Sequence, residues 1–186
     1  VSQIISALEQ LSIKDDTYIV FTSDNGPWLT YGSHAGSAKP LKDGKGTTFE
    51  GGMRVMTFFS GPGIMPGLNN DLGMQTDLLS TFITLAGFTE SYPSPDSFDL
   101  SDSLKQRKPS PRNFVPFYKG SELRAFRLRD HKIQYVTQGA YGAPPERQVH
   151  ESPLLIDLIN DIGESTNIST KNAALATKID NIARDF

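Results

Sequence analysis

A chain of 186 residues that is 37% hydrophobic and 21% charged has the composition of one globular domain, or of one medium layer with a small appendage. A formal net charge of -3 offers nucleic acid no basic field, and no apolar run approaches the roughly 20 residues of a membrane-spanning helix. The absence of cysteine excludes disulfides, thiolate metal sites and a cysteine nucleophile within this chain.

Val1 falls inside a helical pattern with no charged leader after it, so the start reads as a cut. Ile4, Ile5, Leu8 and Leu11 recur at helical spacing and predict an amphipathic helix over residues 1–12. Tyr18 to Phe21 is a nearly continuous apolar run, as expected of a strand buried on both faces. Helix followed by buried strand is the rhythm of an α/β sheet, whose ligands gather beyond the carboxyl ends of strands. Asp24 and Asn25 fall there. Residues 26–48 form a loop with five glycines and two prolines, too long for a mere connector. Met53 to Ser60 predicts a second buried strand, closed by Gly61-Pro62-Gly63 and Pro66-Gly67 turns. Thr76 and Asp77 start a helix whose apolar face is Leu78, Leu79, Phe82, Ile83 and Ala86, with Gly87 as its stop.

Residues 89–112, rich in Ser and Pro, read as a surface linker. Beyond it, Phe114–Tyr118, Leu123–Leu128, Lys132–Thr137 and Pro153–Leu158 predict four strands, and Thr170 opens a final amphipathic helix. Three or four antiparallel strands under a helix make a small α+β layer. Asn167-Ile168-Ser169 is a glycosylation sequon, relevant only on a eukaryotic secretory route.

The chemistry is concentrated between Tyr18 and Val55. Asp24 and Asn25 offer one anionic and one neutral oxygen, which suit calcium or magnesium if other ligands come from elsewhere; the competing reading is an Asn-Gly turn. Lys45, between Gly44 and Gly46, can place a point charge on sulfate or phosphate, or it is a solvated loop lysine. His34 is either an acid, base or anion donor, or a hydrogen-bonding structural residue. His131 and His150 read as structural or exposed, Lys39 and Lys42 as surface charges, and Glu50 and Arg54 as internally paired. Trp28 walls a pocket or packs the loop. Gly44-Lys45-Gly46-Thr47 is not a P-loop, since Lys39 and Gly46 stand where Gly and Ser or Thr are required. Asp24-Asn25-Gly26 likewise lacks the spacing of a calcium-binding helix-loop-helix turn.

Three blocks together resemble the sulfatase family of the alkaline-phosphatase superfamily. They are Phe21-Thr22-Ser23-Asp24-Asn25-Gly26-Pro27, His34-Ala35-Gly36-Ser37, and Gly44 through Val55. Weaker echoes are Asp77 to Gly87 and His150 to Glu164, so the resemblance runs along nearly the whole chain but corresponds to the C-terminal half of such an enzyme. It implies an α/β fold, part of an alkaline-phosphatase-like sandwich. Residues 1–100 would belong to the catalytic domain and 101–186 to a small C-terminal antiparallel-sheet-plus-helix subdomain.

It further implies that Asp24 and Asn25 are Ca2+ ligands and that Lys45 binds the sulfate group of an aryl or glycan sulfate ester. His34 matches a recurrent loop position and is carried as a substrate-binding candidate. The family's nucleophile, a formylglycine made within Cys/Ser-x-Pro-x-Arg, has no counterpart here, nor do its paired N-terminal aspartates. No catalytic residue is therefore assigned, and the chain alone is expected to be inactive and prone to aggregation through exposed strand edges. The resemblance implies a periplasmic, secreted or lysosomal setting. The alternatives are a phosphodiesterase or phosphonate hydrolase of the same superfamily, and a non-catalytic fragment that binds a sulfated glycan.

Overall fold

The computed structural model describes residues 1–88 and 96–186. The expected linker therefore lies outside the described residues over 89–95. The chain forms two compact units, each assembled from two stretches of sequence. Residues 1–22 and 56–112 make one, and residues 23–55 and 113–186 make the other.

In the first unit the predicted opening helix is α1 (Ser2–Gln10), but it buries no residue, and Ile4 and Leu11 stay exposed. The apolar run contributes β1 (Ile19–Phe21), which pairs antiparallel with β2 (Phe58–Ser60) in the register Ile19↔Ser60 and Phe21↔Phe58. Neither strand is buried on both faces as expected: Phe21 and Phe58 are exposed, and among the described residues this sheet has two strands. The second predicted strand is also shorter, since of Met53–Ser60 only Phe58–Ser60 pairs; Met53 ends one helical turn of the second unit, α2 (Glu50–Met53), closed by the Arg54 N–H on the Glu50 carbonyl at 2.7 Å.

Helix α3 (Asp77–Leu85) lies where predicted and stops at Gly87, which takes φ +87. Its first residue does more than start it. Asp77 is fully buried, accepts the backbone N–H groups of Met74 and Phe98, and takes two 2.6 Å bonds from the buried Arg112. Over residues 96–112 the linker expectation is corrected. The stretch holds α4 (Ser101–Gln106), Leu100 donates to the Thr81 hydroxyl, and Arg107 donates to the carbonyls of Leu68 and Pro66. Ser and Pro content signalled a loop, whereas the polar side chains satisfy backbone groups and tie the stretch down.

The second unit contains the four strands expected of it. They are β3 (Phe114–Lys119), β4 (Glu122–Leu128), β5 (His131–Thr137) and β6 (Gln148–Asp157), an antiparallel meander in sequence order. Alternation decides its two faces. Phe126, Ile133 and Leu155 point to one side and pack under Ile179 and Ala183 of α5 (Ala173–Asp185), with Phe114 stacked on Phe126 at 5.6 Å. The sequon asparagine belongs to this layer, since the Asn167 side-chain amide oxygen Oδ1 accepts the N–H groups of Leu155 and Ser169 at 3.0 Å each.

Lys132 and Gln134, one position out of phase with Ile133, point to the opposite face. Lys132 is fully buried there, 3.1 Å from Glu50 and 3.0 Å from Glu164, and donates to the Thr48 carbonyl at 2.7 Å. Arg127 reaches the other Glu50 oxygen at 2.8 Å, and Gln134 donates to Glu164 at 2.7 Å. Removing one partner of a buried ion cluster leaves uncompensated charge at a cost of about 3–5 kcal/mol. Lys132→Met, which keeps the length but strips the charge from between two carboxylates, should therefore lower the stability of the polypeptide by about that much. Thermal unfolding that matched the unsubstituted protein would show the cluster to be dispensable.

Candidate sulfate-binding site

The glycine-rich loop has a defined backbone path, and its glycines show why. A β-carbon on Gly26 would run into the Gly51 carbonyl, one on Gly44 into the Pro27 carbonyl, and one on Gly51 into the carbonyls of Lys42 and Asp43. Three segments, 24–28, 42–47 and 49–54, therefore pack backbone against backbone. Their hydrogen bonds follow: Gly26 N–H to Gly52, Lys45 N–H to Pro27, and Gly51 N–H to Lys42, each at 2.9 Å. The chain carrying Asn25 is thus tied, two residues on, to the backbone of Lys45. Asp43 makes the tight turn with φ +58, and its carboxylate accepts the Gly44 N–H.

Within this loop the polar side chains divide into two groups. Glu50, Lys42 and Thr47 are used to hold the structure. Lys42, expected as a surface charge, instead donates to the Glu164 carbonyl at 3.0 Å and lies over the Phe49 ring. The Thr47 hydroxyl donates to the Gly44 carbonyl at 2.8 Å. Glu50 is internally paired, as its position suggested. Glu164 completes the clamp by accepting the Glu50 backbone N–H at 2.6 Å.

The second group is left unused. Among the described residues the side chains of Asp24, Asn25 and Lys45 make no hydrogen bond or ion pair, and the Lys45 ammonium has only the Trp28 ring, 5.6 Å from its centroid. Asp24 is exposed, while Asn25 and Lys45 are half-buried. His34 is exposed in the short helical run Leu29–His34, edge-on to Tyr31. Of the other two histidines, His150 shares a 2.9 Å hydrogen bond with Thr137 and lines a cavity with Lys42 and Phe49, and burial pushes its imidazole below the usual range.

The donor chemistry of Asp24 and Asn25, one free carboxylate and one free carboxamide oxygen, fits a hard divalent cation but fills only part of its usual six to eight positions. Among the described residues no three Asp, Glu or His side chains gather into a metal cluster.

The electrostatics of the clamp differ from those of the free groups. Burial alone would raise the Glu50 carboxyl, but Lys132 and Arg127 outweigh it and hold the group below its ordinary range. Glu164 is held above that range, with burial the largest influence and Lys132 opposing it. Nothing in the sequence marks Lys132, Arg127 or Gln134 as part of a buried cluster. Their alternation with Ile133 and Phe126 matches a solvent face, and nothing local distinguishes a face covered by a loop.

Comparison with known proteins places the chain. The sulfatase family model matches residues 1–88, and a second, describing the C-terminal region of aryl-sulfatase, matches residues 110–186. The chain belongs to the sulfatase family. It is similar to human arylsulfatase A, with 36% identity over 184 residues covering 90% of this chain and 36% of that protein. It is also similar to human N-acetylgalactosamine-6-sulfatase, with 36% identity over 141 residues covering 74% of this chain and 27% of that protein.

The crystal structure of the PsFucS1 sulfatase from Pseudoalteromonas sp. superposes with a TM-score of 0.86 at 24% identity, covering 99% of this chain and 39% of that one. The described α/β architecture, with mixed helices and antiparallel sheets, is thus a sulfatase fold. The chain spans about a third of the length of the curated relatives it matches.

Two outcomes test the loop. Gly51→Ala must displace the carbonyls of Lys42 and Asp43, so it should destabilise the protein by more than the roughly 1 kcal/mol typical of a point change. Denaturant unfolding measures this, and an unchanged midpoint would refute the backbone packing. For Glu50, a depressed folded pKa means a stabilisation fully present above the ordinary value near pH 4.5 and lost as pH falls through the lower folded value. The stability advantage over Glu50→Gln should therefore be level above about pH 4.5 and shrink below it. An advantage that grew on acidification would reverse the assignment.

Proposed function

We propose that this chain supplies the metal- and sulfate-binding part of a calcium-dependent sulfatase that hydrolyses aryl or glycan sulfate esters. One observation carries the reading. On a loop whose backbone is fixed and whose Lys42, Thr47 and Glu50 side chains hold the fold, the side chains of Asp24, Asn25 and Lys45 have no hydrogen-bond or ion-pair partner among the described residues. Residues 1–100 would be part of the catalytic domain and 101–186 its small C-terminal subdomain. The exposed apolar residues of the first unit, Phe21, Phe58 and Met56 among them, suit elements that pack against further structure.

Asp24 and Asn25 would hold the cation through their side-chain oxygens, with the remaining ligands supplied from elsewhere. Calcium bound there would offset negative charge on the sulfate oxygens. Lys45 would place its ammonium on the same group, favouring the state in which charge grows on sulfate and on the departing alcohol oxygen. His34 is proposed as a weaker contributor at the rim of the site. Formylglycine does not fit any residue of this chain, because no Cys/Ser-x-Pro-x-Arg motif is present. The chain by itself is accordingly proposed to be inactive. A lysosomal, secreted or periplasmic setting follows the same family reading.

Activity on 4-nitrophenyl sulfate with calcium, measured in the complete polypeptide that carries this chain, tests the assignment. Lys45→Ala and Asp24→Ala should each lower kcat/KM by about 100-fold or more without changing the melting temperature. Activity that survives both substitutions would remove these residues from the site. Hydrolysis of a phosphodiester with no sulfatase activity would move the protein to the phosphodiesterase branch of the superfamily.

A further inference from the structure

Beside Lys45 lies a group of aromatic rings that closes no core. Trp28, the chain's one tryptophan, is stacked on Tyr31 at 5.3 Å between centroids and lies 5.1 Å from Tyr141. All three are open to solvent, at 42%, 62% and 56% exposure. They come from loops more than a hundred residues apart in sequence, so the grouping is a product of the tertiary fold.

Tyr141 is bound to the lysine loop closely. It takes the left-handed backbone conformation, φ +52, and its ring lies 3.3 Å from where a β-carbon on Gly46 would stand. Trp28 and Tyr141 thus flank Lys45, one under its ammonium and the other on the next residue's backbone. Exposed apolar area of this kind is costly in water unless something covers it. The Lys45 ammonium, with no anion among the described residues, specifies the charge of that occupant.

We propose that Trp28, Tyr31 and Tyr141 form a stacking ledge for the ring that bears the sulfate ester, with Lys45 taking the sulfate and the aromatic faces taking the ring. This deepens the sulfate-binding reading of Lys45 and rests on it. The ligand chemistry is a flat, partly apolar ring joined to an anionic sulfate, which an aryl sulfate and a sulfated pyranose share. Aromatic faces stack on either. An inorganic sulfate ion or a short alkyl sulfate has no such face and gains nothing from the ledge.

The test is steady-state kinetics of the complete polypeptide on 4-nitrophenyl sulfate, galactose 6-sulfate and methyl sulfate, with inorganic sulfate as inhibitor. Trp28→Ala and Tyr141→Ala should raise KM for a ring ester about tenfold. Methyl sulfate turnover and the inorganic sulfate inhibition constant should stay unchanged, and Trp28→Phe should restore most of the loss. An increase confined to 4-nitrophenyl sulfate identifies an aryl ring, and one on galactose 6-sulfate identifies a pyranose. Unchanged KM for both ring esters overturns the ledge. So does an equal loss for inorganic sulfate, because the rings would then only prop Lys45. Lys45→Ala separates the two readings: it should weaken sulfate inhibition as well, and if it does not, the lysine assignment fails whatever the ledge does.

Discussion

A buried ion cluster holds the glycine-rich loop of the second unit to its sheet. Lys132, fully buried on the sheet face away from α5, lies between Glu50 on the loop and Glu164 in the turn after β6. A lone ammonium there would be prohibitively costly. With two carboxylates, the Thr48 carbonyl and the Phe117 ring around it, the charge is compensated. Such a cluster adds little net stability over a well-packed apolar core, but it is directional: few arrangements of the loop satisfy both glutamates, Arg127 and Gln134 at once. The loop is therefore held in one register on the sheet.

That constraint is what lets other groups on the same loop stay unpaired. A flexible glycine-rich segment would fold its free carboxylate onto its free lysine. Here, close backbone packing at Gly26, Gly44 and Gly51 and the Lys45 N–H bond to Pro27 keep the path of the chain set. Under the proposed function, Asp24, Asn25 and Lys45 would then meet a ligand at little reorganisation cost, which is the main benefit of preorganisation in binding charged groups. The polar residues of the loop are divided between holding the fold and staying unpaired among the described residues, and the division does not follow residue type. Lys42 and Lys45 are three residues apart and chemically identical, yet only Lys42 is committed to the Glu164 carbonyl.

The first unit follows a different logic. Its most constrained feature is the Asp77–Arg112 pair, bidentate and buried, which joins the start of α3 to the end of the stretch that follows it. Its two-stranded sheet and α1, by contrast, leave large apolar side chains exposed. The second unit has its own covered core of Phe126, Ile133, Leu155 and Ile179. The unequal burial agrees with a chain that spans about a third of its sulfatase relatives.

Much of this was legible in the sequence. The four strands and covering helix of the second unit announce themselves by alternation and helical spacing, because each element buries one face and the pattern records which. The family was readable because three short blocks occur in order around the glycines that their backbone contacts require. Other features had no local signature. A lysine alternating with isoleucine in a strand reads as solvent-facing, and only the loop laid over that face makes Lys132 a buried cation. Likewise Trp28 and Tyr141 are ordinary loop aromatics until the fold brings them to either side of Lys45. Periodicity and backbone sterics act over a few residues and are written in the sequence. Compensation of buried charge and the meeting of distant loops depend on which surfaces come together, and the tertiary structure alone decides that.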